Sequence, residues 1–476
     1  MKVKALTRSR ANTERECIGD VRKQFRNLDP KYHPMQRARE YQRAIMGAKL
    51  DRMFAAPLFG RNMEHADAVT CSALCHQHLL PLASGCVDGT IKLWDLSTRK
   101  EMMVGAGGHS RAITGLTFET NTSTNPLLYS CSDDGCIRAW SMNQQQQNDD
   151  DEVEEVKRSA LSSSSSSKMS KNSRSMATWK TDAGLKSIDH NWSESQFGTA
   201  SSDGVCLWSP NRMSPLQTYT RLWESDDTVH FLSFNPAEAN LMGVCTMDNG
   251  VGLIDARIGT ALRKTVLKMR SNVLRFNPME PLNFIVANED HQVYLFDLRN
   301  LTRPVRIYKG HVNAVMDVRW SPTGKEFVTA GYDNTVRIFT RDHGGRARDI
   351  YHTRRMQRVM TVQYTHDNQY VISGSDDGNL RVWKAQASQS AGQRTTREER
   401  ALRYRQTLIE KHHHLPEIRR IHSDRKVPKR ITKQQQQALQ KEEKEQKKQS
   451  NRIAHSKPGT HSFVSEKSKI VVRKVE

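Results

Sequence analysis

The feature that most constrains this chain is a repeat. Small residues, an Asp in a turn and a short alternating strand ending in an aromatic recur along its 476 residues. The pattern reads Ala83-Ser84-Gly85-Cys86-Val87-Asp88-Gly89 and runs on to Trp94. It returns as Ser130-Cys131-Ser132-Asp133-Asp134-Gly135 leading to Trp140, and as Ala200-Ser201-Ser202-Asp203-Gly204 leading to Trp208. Further copies run from Asp248 to Ile254, Asp290 to Phe296, Asp333 to Phe339 and Asp377 to Trp383. The terminal positions are spaced by 46, 68, 46, 42, 43 and 44 residues, and the 68 contains an insertion. The Asp lies six residues before the terminal position in six copies and five before it in the third, whose turn is one residue short. A unit of this size cannot bury a face alone, so neighbouring units must stack.

Alternating runs suited to half-buried strands precede the copies, among them Val315-Met316-Asp317-Val318-Arg319-Trp320 and Val359-Met360-Thr361-Val362-Gln363-Tyr364. Turn residues such as Ser321-Pro322-Thr323-Gly324 and Asn277-Pro278 divide them. This grammar resembles that of WD-repeat proteins, and it predicts an all-β fold, a seven-bladed β-propeller. Gly108-His109 and Gly310-His311 stand where such repeats place a Gly-His pair. His109, Asp134, Trp140, His311, Asp333, Asp377 and Trp383 are therefore expected to form hydrogen-bonded networks of His, turn Asp and terminal Trp that hold blades together. The last copy ends at Trp383 without an outer strand, and Phe54-Ala55-Ala56-Pro57-Leu58-Phe59 is the expected donor that closes the ring.

Charge is unevenly distributed. Residues 1–60 hold 14 basic and 6 acidic side chains, residues 386–476 hold 23 and 10, and the stretch between is balanced at 36 each. The division expected is a basic extension over 1–52 with an amphipathic helix, a propeller over 53–386 and a basic domain over 387–476. Within the propeller, 143–176 interrupts the third unit with a Gln run, an acidic block and Ser162–Ser167, and reads as a disordered loop. No apolar stretch approaches a bilayer span and the start lacks an apolar signal core, so the expectation is a soluble intracellular protein with reduced thiols.

Helices are expected at both ends. Pro34 suits the first turn of one running from about Met35 to Phe54, with Ala38, Tyr41, Ile45 and Ala48 along one face. The tail from Thr395 to Gln449 is helical by composition, broken at Pro416 and Pro428, and needs a partner surface. The chain then ends in the alternating Ile470-Val471-Val472-Arg473-Lys474-Val475.

These ends carry a more specific resemblance. Arg8-Ser9-Arg10, Arg26-Asn27-Leu28-Asp29-Pro30 and Tyr41-Gln42-Arg43-Ala44 are similar to the opening of Sof-type WD-repeat proteins. Leu415-Pro416-Glu417-Ile418-Arg419-Arg420-Ile421 and His455-Ser456-Lys457-Pro458-Gly459 resemble the Sof-like domain that follows their propeller. The Ser-rich insertion and the Gln434–Gln437 run depart from the family. The resemblance implies a nucleolar component of the small-subunit processome, required for pre-rRNA processing and small-subunit biogenesis. Its partners would be pre-rRNA, snoRNA-containing ribonucleoprotein and processome proteins. The cationic ends would meet phosphate, with Arg8, Arg10, Arg419, Arg420, Lys429, Arg430, His455 and Lys457 as candidate RNA- or partner-binding residues.

A second reading comes from Ile254-Asp255-Ala256-Arg257 and Phe296-Asp297-Leu298-Arg299. They resemble the Asp-x-Arg box of propellers that serve cullin–RING ubiquitin ligases as substrate receptors. Asp255, Arg257, Asp297 and Arg299 are thus candidate ligase-adaptor contacts, against a plainer reading as blade-edge ion pairs. Catalytic chemistry is not expected. No nucleophile–base arrangement or Walker-type loop is legible, and no cofactor is called for. Cys71, Cys75, His76 and His78 have tempting spacing, yet strand alternation keeps them from converging on a metal, and His412-His413-His414 reads as part of a solvated basic helix.

Overall fold

The structure is a computed structural model describing residues 29–105, 108–120, 126–142, 175–220, 222–223, 228–258, 260–342, 345–389, 395–425, 427–457, 460–461 and 465–475. Among them the strands form seven antiparallel sheets. Blade 6 shows the plan: Val315–Trp320, Glu326–Gly331, Val336–Thr340 and Asp349–Tyr351 pair in chain order. The first strands of successive blades lie side by side and line the axis. Ser72 and Thr361, on the first strands of blades 1 and 7, share a 2.8 Å hydroxyl hydrogen bond that joins the two ends of the ring. The core lies between neighbouring sheets, where all seven terminal positions, Trp94 through Trp383, are buried. The seven-bladed propeller read from the repeat is the fold observed.

The recurrent Asp turn has a backbone reason. The residue after the Asp takes a left-handed conformation, with φ of 77° at Gly89, 76° at Gly135 and 73° at Gly378. Asn249, His291 and Asn334 occupy the same place at 61°, 72° and 62°. Glycine accepts this freely and Asn better than most side chains. In blade 3, Ser201 pairs directly with Gly204, leaving two residues in the turn, as the shorter spacing predicts.

Two framework networks form as expected, with a bridging hydroxyl not anticipated. His109 Nδ1 lies 3.2 Å from Asp134, its Nε2 lies 2.8 Å from Ser130 Oγ, and Trp140 donates to the same hydroxyl at 2.9 Å. His311 likewise joins Asp333 and Thr329, but Phe339 stands at the Trp position and the chain of bonds stops there. In place of the Trp, Arg337 pairs with Asp333 at 3.2 Å. Burial raises the carboxyl's pKa, but His311, Arg337 and Thr335 outweigh it and hold Asp333 well below the usual carboxylate range. Asp377 is a correction. No His bonds it among the described residues; it pairs with Arg381, while Trp383 bonds separately to Ser373 Oγ at 2.8 Å.

Closure also shifts in register. The expected donor was 54–59, but the pairing strand is Leu58–Glu64, opposite Trp383 to Asn379. Phe54 sits in a turn and is exposed; the segment joins the sheet from Ala56, whose N–H bonds Ala387 O at 3.0 Å. The strand leads into His65, a third framework histidine, 2.6 Å from Ser84 Oγ, to which Trp94 also donates.

Two histidines, His65 and His230, are held neutral. Desolvation inside the fold, with smaller contributions from nearby cations, pulls both down to about 4. The unfolded chain titrates near ~6.5, so between that pH and the folded value it binds more protons than the native state. Stability is therefore fully present above pH ~6.5 and declines as pH falls, by up to ~1.4 kcal/mol per pH unit for each histidine. The urea midpoint, followed by tryptophan fluorescence, is expected to be lower at pH 5 than at pH 7. An unchanged midpoint would show these rings charged in the fold.

The helices are α1 (Gln36–Met53), α2 (Thr396–Lys411), α3 (Pro416–Ser423) and α4 (Lys429–His455). Helices α1 to α3 form a compact unit of their own, around buried Ala44, Ala48, Leu408, Ile409 and Ile418. Thr395 caps α2 in a reciprocal box with Glu398. Tyr41 donates to Glu417 at 2.7 Å, and Lys411 pairs with Glu40 at 2.7 Å. On α1 the buried stripe is Ala44, Gly47 and Ala48 rather than one beginning at Ala38, which is exposed. His412, His413 and His414 form the turn after α2; His412 packs beside Tyr41 and is not solvated as expected. The other unit takes the ring together with α4 and the final strand. Compact units thus cut across the expected 1–52, 53–386 and 387–476. Of the 143–176 insertion, 143–174 lies outside the described residues; Met176 bonds Ala139, and the insertion joins the third and fourth strands of blade 2 rather than interrupting the third unit. No described helix is long and apolar enough to cross a membrane.

Candidate interaction sites

In a four-stranded antiparallel sheet, the loops joining strands one to two and three to four share one end. Those joining two to three, and each blade to the next, share the other. Helix α4 lies at that second end. Ile431 of α4 is buried, in a groove shared with Tyr332, Asn334, Thr353 and Met356. Gln435 donates to Gly310 O at 2.5 Å. Lys309 pairs with Glu442 at 3.2 Å and Glu466 at 3.1 Å. Burial opposes its charge, but those two hydrogen bonds raise its pKa. Ile470 is buried in the core between blades 4 and 5, and Val471–Val475 pairs with Thr260–Leu267 as a fifth strand of blade 4. The polar helix thus finds a partner surface, and that surface is its own ring. The only cue in the sequence was the alternating Ile470 to Val475 run.

This docking sorts the cations. Lys429, Arg430, Lys433, Lys441, Lys444, Lys448 and Arg452 remain exposed along α4, as do His455 and Lys457 at its far end. Lys429 and His455 stand at opposite ends of a 27-residue helix, about 40 Å apart at 1.5 Å per residue, so these candidates form a track and not one site. Arg419 and Arg420 are exposed on α3. Arg8 and Arg10 lie outside the described residues.

The Asp-x-Arg pairs sit at the other end of the ring, in the turns joining strands three and four of blades 4 and 5. Asp255 accepts the Arg257 N–H at 3.0 Å, and Asp297 accepts the Arg299 N–H at 3.0 Å. Each carboxylate is spent on fixing its turn, and both Arg side chains are exposed. Among the described residues neither Arg has an ion-pair partner, so blade-edge pairing does not account for them. Asp95 makes the same turn in blade 1 with Ser97 at the third position. The turn therefore needs the Asp and leaves the third residue open. No group of three His, Cys, Asp or Glu among the described residues is placed to hold a metal.

Comparison with known proteins bears on both ends of the molecule. A Sof1-like domain model matches residues 385–471, and a WD domain, G-beta repeat model matches 60–95, 103–141, 302–340 and 350–384. The chain is 37% identical to Protein SOF1 of Saccharomyces cerevisiae over 92% of its own length and 88% of that protein's. It is 38% identical to DDB1- and CUL4-associated factor 13 of Homo sapiens and 36% identical to that of Danio rerio, each over the full length of both chains. With a Sof1-like segment following a WD-repeat ring and relatives matched over nearly their whole length, the chain belongs to the Sof1-type family of WD-repeat proteins.

Proposed function

We propose that this protein is a non-catalytic assembly factor of the nucleolar small-subunit processome, acting in pre-rRNA processing and small ribosomal subunit biogenesis. The observation that carries the reading is the tail: docking on the ring uses Ile431, Gln435, Glu442 and Ile470, and leaves a line of lysines and arginines outward. Such a line suits phosphate contact without base readout. The balanced ring supplies protein-docking surface in the nucleus. Depleting the protein should make unprocessed small-subunit precursor RNA accumulate while the tagged protein sediments with pre-ribosomes; normal processing on depletion would overturn the reading.

A second reading is favoured by Arg257 and Arg299. Relatives named DDB1- and CUL4-associated factor 13 carry in that name an association with DDB1 and CUL4. The exposed, unpaired arginines on fixed turns suit adaptor docking at the end of the ring away from α4. Replacing both by Glu is expected to weaken capture of the ligase adaptor at least tenfold while sedimentation with pre-ribosomes persists. Unchanged capture would leave these turns purely structural.

A further inference from the structure

The penultimate residue of each first strand points into the axis at one level, and a cavity of about 330 Å³ opens there toward the end that carries the Asp-x-Arg turns. Five of these collar residues are polar and central to the site: Asp189, Ser233, Arg275, Arg319 and Gln363. Asp189 accepts the Phe234 N–H at 2.9 Å and faces Arg275 at 3.6 Å. Arg275 also reaches Ser233 and lies over the Phe231 ring. Gln363 donates to Ser72 O.

Arg319 is different. Its guanidinium has no hydrogen-bond or ion-pair partner among the described residues, and its Nε is fully enclosed. Asp317, one of the two carboxylates whose charge reaches it, is already committed to the Val318 and Val362 N–H groups and to the Thr361 hydroxyl. Burial, then Arg275, lowers the Arg319 pKa to about 10, with Asp317 and Asp189 opposing. A partly buried cation without a partner costs stability and gains from an incoming anion.

The rim selects the kind of anion. Loops joining first and second strands expose Leu79, Leu80, Trp192, Met279 and Leu282. The same loops expose carboxylates at Glu194, Glu238 and Asp367, with Lys325 their exposed cation, while Glu280 is paired with Arg341. A polyphosphate approaching this mouth meets acidic and apolar groups, whereas a peptide carrying one acidic side chain among apolar neighbours meets a matching rim. From the orphaned Arg319, the cavity and this rim, we infer that the channel mouth is a binding site for a protein segment that inserts an Asp or Glu side chain onto Arg319. The site is independent of the cationic α4 track and lies at the opposite end of the ring.

The test uses the full-length protein on two arrays of short peptides, randomised except for a central Glu in one and a central Gln in the other. The Glu array is expected to bind about tenfold more strongly, the scale of one charge-assisted hydrogen-bonded contact. Arg319→Met should abolish that preference while leaving the melting temperature unchanged or higher, since it removes an unpaired, partly buried charge. Equal binding to both arrays by the wild-type chain overturns the inference, whatever the variant does. So does a clear loss of melting temperature in Arg319→Met, which would make Arg319 a structural residue. Binding of a uridine decamer that depends on Arg319 and not on α4 would overturn it in favour of RNA phosphate.

Discussion

Removing residues 1–64 is expected to abolish cooperative unfolding of the ring, while removing 1–28 leaves the transition in place. The strand Leu58–Glu64 is the outer edge of blade 7, paired with Asn379–Lys384, and its loss exposes an unpaired strand between the first and last blades. Met63 is fully buried in a cluster with Val69, Leu82, Trp94 and Leu380, so the strand fastens blade 1 to blade 7 as well as completing a sheet. Because the larger truncation also takes α1 away, Met63→Asp separates the two effects. It should cost at least the ~2–5 kcal/mol of a buried methionine truncation, since it adds a buried charge to the lost packing. Circular dichroism melts decide the matter. If the truncation to residue 64 and Met63→Asp both melt like the intact chain, the ring is closed by something else.

Affinity for single-stranded RNA is expected to fall steeply with salt. Each neutralised phosphate contributes about 0.7 to the log–log slope, and roughly 6–10 contacts give a slope of about −4 to −7. Not every basic residue takes part, because α4 spends Glu442 on Lys309 and rests its buried face on the ring. Replacing Arg419, Arg420, Lys429, Arg430, Lys444 and Lys448 by Ala should flatten the slope by about 0.7 for each residue that touched phosphate. All six are exposed, so the melting temperature should hold. A variant with the wild-type slope would make the basic residues protein-docking elements.

The blades differ in how plainly they are written. The repeat models match blades 1, 2, 6 and 7, yet blades 3 to 5 form equally complete sheets. Their terminal positions include Ile254 and Phe296 and one turn is short, but spacing and strand alternation survive, and those are what a stacked sheet requires. Hydroxyl bridges such as Ser84, Ser130 and Thr329 were not legible, because a Ser in a strand has many ordinary reasons to be there. Asp377 misled because a turn Asp looks the same in sequence whether its partner is a His or an Arg.

By itself the sequence determined the ring, its seven units, the need for an outside strand to complete the last, and the separation of charge between ring and ends. Each of these is local or periodic, set by turn geometry, alternation and composition. Only the tertiary structure decided that closure runs through Met63, and that Val471–Val475 returns to blade 4. It also decided that α4 lies against loops of blades 5 and 6 at one end of the ring, and that Arg275 meets Asp189 in the channel beside an unpaired Arg319. Those residues are separated by tens to hundreds of positions, and no pairwise signal in one chain says which strand edge or which neighbouring blade will satisfy them.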